Sequence, residues 1–419
     1  MFTYINSELH CNSSKLSTLA KEFGTPLYVY SAAAIRDNYR RLAAAFAPLK
    51  PLICFAVKAN FNLALLDLLK REGSGFDIVS GGELYRALTI GADPAHIVFA
   101  GVGKTDAELA YALDSRVGFF NVESADELAR LNALAAARGV TATVALRLNP
   151  GVSPDTHRHI NTGQSGSKFG VPVEEALALI QRAADFPALT FRGAHIHIGS
   201  QIPDPAPTLQ AVEIALDFIA QANPILSIPS VDHLDIGGGF PVPYHETALD
   251  QFPAIEDFAA PLVRRLISSN LSIHLEPGRF LIANAGALVA TVQAVKNISG
   301  RRTLVVDAGM NTLLRPALYD AYHQVLPLQS STLHPQFSDI VGPICESSDT
   351  LARDRELPPL SGGDQLAFMN AGAYGYSMAS HYNSQPRPAE VLVEGDSIQL
   401  ICRRETYADL IALEIWPSP

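Results

Sequence analysis

Short runs of apolar residues alternate with segments of helical periodicity through most of the chain. A short apolar run that leads into a helical pattern is typical of a parallel strand buried on both faces. Several helical segments end in Gly or Asn, which favours helix termination. The predicted strands are 52–58, 76–80, 97–100, 117–121, 142–148, 191–198, 231–236 and 271–276. The predicted helices between them are 62–71, 82–89, 105–114, 124–138, 173–185, 208–222 and roughly 250–268.

Eight strands that alternate with helices predict an α/β fold, and specifically a (β/α)₈ barrel like that of triosephosphate isomerase. A doubly wound open sheet is the alternative, because periodicity alone does not separate the two. A further helix is predicted over 32–46, where Ser31 is a suitable N-cap.

The pattern changes near residue 283, after which short strands separated by turn residues predominate. This pattern of short strands and turns predicts a second, mostly β domain, which is a sandwich or a barrel. A helix at 14–23 and a strand at 26–30 precede the regular alternation, so we assign the N-terminus to that domain as well. The predicted domains are a barrel over 31–283 and a β domain over 1–30 and 284–419. The predicted strands of the β domain are 287–295, 303–306, 365–369, 390–393 and 397–402.

Composition narrows the class of protein. The net charge of -11 disfavours a general binder of nucleic acid or of anionic membranes, which usually needs a basic face. The four cysteines are scattered without a paired spacing, which indicates a reducing cytoplasm. Residues 1–11 lack a basic region followed by an apolar run, so no signal peptide is expected. No apolar stretch reaches the ~20 residues of a membrane span.

Candidate catalytic residues follow several of the predicted strands. In a barrel the C-terminal strand ends share one rim, where barrel enzymes place their chemistry. Lys58 follows the first apolar run, and partial desolvation would make its amine a nucleophile; alternatively, it only extends into water. His197 follows the apolar-rich stretch 191–196 near the end of the sixth strand, and it could instead be a structural cap. Glu276 ends the eighth strand, and it could instead pair locally with Arg279.

Three consecutive glycines, Gly237, Gly238 and Gly239, follow the seventh strand. Glycine lets backbone N–H groups turn inward around an anion, and barrels often bind phosphate after strands 7 and 8. A tight turn is the alternative interpretation. An amine, a phosphate cradle and a carboxylate on one rim together describe a site for pyridoxal 5′-phosphate. In that interpretation Lys58 bonds to the cofactor and Glu276 keeps the pyridine nitrogen protonated.

Two other patterns resemble known binding motifs. Residues 100–105 look like a phosphate loop, but Val98 stands where the Walker pattern needs Gly, which argues against it. The pairs His195/His197 and His157/His159 have metal-ligand spacing, and the first pair could bind zinc from one strand face.

The β domain has candidates of its own. Arg315 and Tyr319 are four residues apart and share a face if the segment is helical. Cys345 follows Gly342-Pro343 and should lie in a loop, where neighbouring acids would disfavour its thiolate and suit it to donate a proton. A further exposed turn is predicted at residues 372–375.

Seven segments together resemble the alanine-racemase-like, ornithine-decarboxylase-like family of pyridoxal phosphate enzymes, and within it the decarboxylases of meso-diaminopimelate. The resemblance extends from Pro26 to about Leu410. The segments are 56–60 (AVKAN), 76–83 (FDIVSGGE), 195–201 (HIHIGSQ), 237–240 (GGGF), 276–279 (EPGR), 345–349 (CESSD) and 371–374 (AGAY).

The resemblance implies a barrel joined to a β domain, working as a head-to-tail homodimer with active sites at the interface. It implies that Lys58 binds the cofactor, that His197 stacks on its ring and that Glu276 faces its pyridine nitrogen. It also implies roles for a larger set. The residues that it implies as cofactor contacts are Asp77, Ser200, Gly237, Gly238, Gly239 and Tyr374. The residues that it implies as contacts to the far end of the substrate are Arg279, Arg315, Tyr319, Glu346 and Tyr374. Cys345 matches a catalytic residue donated by the other subunit.

The expected reaction is the decarboxylation of meso-2,6-diaminopimelate to L-lysine and carbon dioxide, in lysine biosynthesis. Ornithine-type members usually carry Cys-Asp where this chain has Cys345-Glu346, and two arginines with one acid fit a zwitterionic distal end. The run 155–157 (DTH) departs from a more usual His-Thr-His. Alternatives are a decarboxylase of carboxynorspermidine, ornithine or arginine, a racemase, a metal-dependent hydrolase and a non-enzymatic cofactor-binding protein.

Overall fold

The computed structural model describes residues 1–152, 167–226, 230–245, 252–298 and 300–416. Its contacts divide the chain into two compact units. The barrel unit comprises Asn38–Val242 and Leu249–Leu281. The β unit comprises Met1–Asp37, Pro243–Ala248 and Ile282–Pro419. The domain bounds predicted from the sequence stay a prediction.

Eight parallel strands close into a barrel, because the last of them pairs with the first. Every neighbouring pair of strands in the ring is parallel. The fourth strand pairs with the fifth through Phe120–Val122 and Val144–Leu146. The predicted barrel is therefore confirmed, and the open sheet is wrong. In chain order the strands are Leu52–Ala56, Gly75–Ile78, Ile97–Phe99, Phe119–Val122, Ala142–Asn149, Leu189–Ile196, His233–Asp235 and Ser272–Leu275, with Val171–Pro172 added beside the fifth.

Helices follow the strands, and their first residues explain where they begin. Ser80 and Ser124 accept the N–H of the residue three positions on, and Thr105 forms a reciprocal capping box with Glu108. Helix 125–138 ends at Gly139, whose φ of 63° suits a left-handed C-cap. The helices of this unit are Leu63–Arg71, Gly81–Thr89, Asp106–Asp114, Ala125–Arg138, Val173–Gln181, Pro205–Leu226 and Ile255–Leu266; Ala32–Ala45 begins in the β unit and Arg279–Ile282 ends there.

The alternation of side chains along the strands separates the apolar core from the site. Phe76 and Phe120 are almost fully buried, and each is followed by a buried polar residue, Asp77 and Asn121. Successive strand residues point to opposite faces. The strands therefore bury aromatic rings on one face while they present carboxylate and amide groups on the other.

The β unit is a mixed sheet with a small antiparallel sheet beside it. Strand Leu27–Ser31 is entirely buried and pairs with Gly286–Ile298 and Ala389–Glu394. The other strands of the large sheet are Arg301–Val306, Val325–Pro327, Gln336–Val341, Thr350–Leu357, Gln365–Phe368 and Ser397–Cys402. The small sheet consists of Phe2–Ile5, Glu8–Cys11 and Ser14–Lys15, and the helices are Leu16–Phe23, Arg315–Tyr319 and Tyr407–Leu410. The predicted mostly β domain is confirmed. Among the described residues, no helix has both the length and the apolar character that crossing a membrane requires.

Candidate active site

Lys58 lies just beyond the first barrel strand, in the 3-10 turn Val57–Ala59. The strand ends at Ala56, two residues earlier than predicted. Lys58 Nζ donates to Asp77 Oδ2 at 2.7 Å, and the Asp77 side chain is fully buried, whereas that of Lys58 is 39% exposed. Burial and the charge of Glu276 raise the pKa of Asp77, and the Lys58 ammonium opposes that rise. The amine is thus held at the barrel mouth against a buried carboxylate.

Glu276 follows the eighth strand and is buried. Asn121 Nδ2 donates to its Oε1 at 3.1 Å, and His195 Nε2 lies 3.1 Å from its Oε2. Burial alone would raise the pKa of Glu276, but His195 and the Lys58 charge bring that pKa below its ordinary value. The carboxylate therefore remains ionised inside the barrel, where it can accept a hydrogen bond from a bound cation.

The glycine loop after the seventh strand is shaped by close contacts. Gly237 and Gly239 have φ of +69° and +92°, and a Cβ on Gly238 would lie 2.3 Å from the Glu276 carbonyl oxygen. The Gly237 N–H donates to Asp235 Oδ1 at 2.8 Å, and the Gly238 N–H donates to His197 Nδ1 at 3.1 Å. Two of the three amides are therefore engaged by side chains, and only that of Gly239 has no acceptor among the described residues.

His197 is a neutral imidazole. Its desolvated surroundings, with the charges of Arg147 and Lys58, lower its pKa to about 3. Because Nδ1 accepts the Gly238 N–H, the ring proton belongs on Nε2. Close by in this unit, Arg279 Nε and Nη2 donate to Ser200 Oγ at 3.3 and 3.2 Å. The structure thus brings together Arg279, predicted for the substrate, and Ser200, predicted for the phosphate.

In the β unit, Arg315 begins the helix Arg315–Tyr319 and its guanidinium is fixed from two sides. Nη1 donates to His323 Nε2 at 2.9 Å, and the guanidinium carbon lies 4.5 Å from the centre of the Tyr244 ring. Arginine cannot accept a hydrogen bond, so His323 must accept at Nε2 and donate from Nδ1 to the Met369 carbonyl at 2.8 Å. The segment from Arg315 to Tyr319 is helical, which is the condition under which the sequence places both side chains on one face.

Cys345 and Glu346 lie in an exposed loop, as the sequence predicts for Cys345. The Cys345 N–H donates to Asn383 Oδ1 at 2.8 Å, and the Tyr382 hydroxyl donates to the Glu346 carboxylate. The loop is anchored beneath by the buried Asp349, which accepts the Ile344 N–H at 2.7 Å. Both predicted side chains are therefore presented on a defined turn.

Tyr374 lies in a second tight turn of the β unit. Its φ is +56°, an uncommon conformation for an aromatic residue and one that often marks functional sites. A Cβ on the neighbouring Gly372 would lie 2.0 Å from the Ile282 carbonyl oxygen, so this turn requires glycine there.

Sequence reasoning did not select several residues that support the site. Asn121 and Asp235 are polar residues inside apolar strand runs, and that pattern could have drawn attention to both. His323 and Tyr382 carry no comparable signal, since their partners are known only from the fold.

The residues of the two competing motifs have partners that differ from those the motifs suggest. Lys104, in the loop that resembles a phosphate loop, is buried and bonds to Glu127 Oε1 at 2.7 Å and to two backbone carbonyls. Among the described residues, His195 groups with Asp235 and Glu276 as potential metal-binding side chains, and this group leaves out His197. His157 and His159, together with the departure at 155–157, lie outside the described residues.

The sequence and the fold match known proteins along nearly the whole chain. The family model described as the pyridoxal-binding domain of pyridoxal-dependent decarboxylases matches residues 32–283. The diaminopimelate decarboxylase of Aquifex aeolicus is 46% identical over 404 residues, which are 96% of this chain and 95% of that protein.

Two solved structures have the same architecture. Diaminopimelate decarboxylase from M. jannaschii in complex with L-lysine has a TM-score of 0.93 at 37% identity, with 100% of this chain and 98% of that chain covered. The Helicobacter pylori enzyme complexed with L-lysine has a TM-score of 0.89 at 39% identity, with coverages of 96% and 99%. The chain therefore belongs to the diaminopimelate decarboxylase family of pyridoxal-dependent decarboxylases.

Proposed function

We propose that this chain decarboxylates meso-2,6-diaminopimelate to L-lysine and carbon dioxide, with pyridoxal 5′-phosphate as its cofactor. The observation that carries the proposal is the grouping of Lys58, Glu276 and the glycine loop in one barrel interior, where Asp77 holds the amine and His195 holds the acid. The relatives named diaminopimelate decarboxylase support the choice of substrate.

The barrel residues fit each of the cofactor's three polar ends. The aldehyde needs an amine, and Lys58 supplies it. The phosphate needs short donors, and we propose Ser200 and the Gly239 amide, the latter in a loop whose backbone leaves no room for a Cβ. Arg279, which donates to Ser200 Oγ, stays assigned to the substrate. The protonated pyridine nitrogen needs an ionised carboxylate, and Glu276 remains one. When bound, the cofactor accepts the electron pair that the departing carboxylate leaves behind.

The chain's own groups then have separate tasks. Asp77 accepts a hydrogen bond from the Lys58 amine and so directs it at the barrel interior. Glu276 favours the protonated pyridine, and His197, a neutral flat ring, can stack on the cofactor without adding charge. The backbone of the glycine loop would hold the phosphate end.

We also propose that residues of the β unit recognise the far end of the substrate. Arg315, held by His323, offers a planar fork to the distal carboxylate, and Tyr319 follows on the same helix. Glu346 offers an acid to the distal ammonium. We further propose that Cys345 of a neighbouring subunit supplies a proton, so that the enzyme is a homodimer with shared sites, working in the cytoplasm.

The test compares substrates directly. The purified chain is first loaded with pyridoxal phosphate. Parallel reactions then contain meso-diaminopimelate, L-ornithine, L-arginine or carboxynorspermidine as the substrate. We expect lysine and carbon dioxide from the first substrate only, and an absorbance band of bound cofactor in the visible range. Turnover of another substrate without release of lysine from meso-diaminopimelate would contradict the proposed specificity. A colourless protein with stoichiometric zinc would favour a hydrolase instead.

A further inference from the structure

Asp235 ends the seventh barrel strand and is buried beneath the glycine loop. Its Oδ1 accepts the Gly237 N–H at 2.8 Å. Its Oδ2 is also buried, and no N–H or O–H donor among the described residues is directed at it. A second carboxylate is close by: one oxygen or nitrogen each of Asp235, Glu276 and His195 lies within 4.8 Å of the others.

Two carboxylates that are this close and both buried cannot both be ionised. The surrounding groups decide which one binds the proton. Glu276 accepts hydrogen bonds from Asn121 and His195, so its charge is compensated. Asp235 has one backbone donor, and its Oδ2 has none. Burial and the charge of Glu276 raise the pKa of Asp235 well above its ordinary value, in the direction that this geometry requires.

The remaining charged or titratable neighbours do not change this assignment. Asp77 is already paired with Lys58. Cys54, on the first strand, is fully buried, and burial with the nearby carboxylates raises the pKa of its thiol well above its ordinary value. The thiol therefore stays neutral and adds no negative charge to the cluster.

We propose that Asp235 is a positioning residue that is protonated in the working enzyme, with Oδ2–H donating to the Glu276 carboxylate while Oδ1 holds the Gly237 amide. Glu276 N–H in turn donates to the Gly237 carbonyl at 2.8 Å. One neutral side chain thus links the carboxylate proposed for the pyridine nitrogen to the first residue of the loop proposed for the phosphate. This link fixes the spacing between Glu276 and Gly237, the protein groups proposed for the two ends of the cofactor, and in this sense the inference rests on the proposed function.

Asparagine is the matched test of this state, because its amide offers an NH2 donor group and a carbonyl acceptor, as a protonated carboxyl offers an O–H donor and a carbonyl acceptor. Asp235→Leu has similar bulk but neither group. In titrations of the apoprotein with pyridoxal phosphate, followed by absorbance, we expect Asp235→Asn to stay within about threefold of wild-type affinity and Asp235→Leu to lose about tenfold or more. Asp232→Asn, at the partly exposed start of the same segment, is the control and should not change affinity.

Infrared spectroscopy tests the proton without cofactor or substrate. With ¹³C-labelled aspartate, the wild-type protein at neutral pH should show a protonated carboxyl band that Asp235→Asn removes. The proposal fails if this band is missing, or if Asp235→Asn weakens cofactor binding as much as Asp235→Leu does, since an ionised Asp235 would then be needed. It also fails if Asp235→Leu binds as wild type does. If the wild-type protein binds no pyridoxal phosphate, the proposed function fails, while the infrared measurement still decides the protonation of Asp235.

Discussion

Two buried carboxylates in the barrel, Asp77 and Glu276, each have specific side-chain partners. Asp77 has the Lys58 ammonium, and Glu276 has Asn121 and His195. Removing one member of a buried pair leaves an uncompensated charge, which usually costs more than the pair itself contributes. Substitutions here should therefore change protonation as well as contacts, and they are best followed by chemistry specific to one atom.

Lys58→Ala should abolish covalent attachment of the cofactor, because the Lys58 amine is the one held at the barrel mouth. Borohydride reduction of the wild-type holoenzyme, followed by peptide mapping, should place the label on the peptide that contains Lys58. Lys21→Ala removes an exposed lysine of the β unit and should leave labelling unchanged. A label on any other lysine in the wild-type protein would overturn the assignment.

Glu83 should make stability depend on pH. Burial raises its pKa from 4.5 to about 7, although the Val79 N–H that its carboxylate accepts opposes the rise. The folded chain therefore binds more protons at this residue than the unfolded chain between those two pH values. Its contribution to the free energy of unfolding falls by about 3 kcal/mol at most as the pH rises through that window. Above the window the contribution stays low.

Replacing Glu83 by Gln removes this titration. We expect Glu83→Gln to be more stable than wild type at pH 8 and to lose that advantage as the pH falls toward 4.5. Thermal unfolding of both proteins across this range measures the difference. Asp106→Asn, an exposed acid in the first turn of another helix, is the control and should show no such trend. A difference that is independent of pH would mean that Glu83 is ionised throughout.

At the scale of elements, the sequence predicted the barrel well because parallel strands buried on both faces leave uninterrupted apolar runs. The run at Leu52–Ala56 and the helix Ala125–Arg138 begin and end within two residues of their predicted bounds. Strands Gln336–Val341 and Thr350–Leu357 were not predicted, since both are partly exposed and the second carries four charged residues. An exposed strand lacks the apolar pattern that identifies a buried one.

In the candidate site, too, residues with a local sequence pattern could be predicted and contacts between distant residues could not. Lys58 and Glu276 stand out because each directly follows an apolar run. The link between Asp235 and Glu276, and that between Arg315 and His323, join residues from different elements. Proximity of this kind arises from strand order and chain closure, which no local pattern contains.

Arg315→Lys should impair substrate capture more than cofactor binding. Lysine keeps the charge but loses the planar fork that can bind His323 and a carboxylate together. We expect KM for meso-diaminopimelate to rise by at least about tenfold, with a smaller change in kcat. The matched control is Arg353→Lys, at an exposed position of strand Thr350–Leu357, which should behave as wild type. If cofactor affinity falls while KM is unchanged, Arg315 has been assigned to the wrong ligand.

At the scale of the whole molecule, the two catalytic candidates lie in different units. Lys58 belongs to the barrel unit and Cys345 to the β unit. The resemblance to the decarboxylase family implies that a site combines Lys58 of one subunit with Cys345 of the other. A site assembled in this way requires the dimer, so activity should disappear when the dimer dissociates.

Complementation between two inactive variants tests the shared site. Lys58→Ala chains are mixed with Cys345→Ala chains under conditions of verified subunit exchange. Each mixed dimer then has one site with both defects and one site with neither. Random exchange makes about half of the dimers mixed, and one of the two equivalent sites in each is intact, so activity should reach roughly a quarter of wild type. If each variant alone is inactive and mixing restores nothing, Lys58 and Cys345 of one site belong to the same chain. That result would reject the shared site and leave the assignment of Lys58 to the cofactor unchanged.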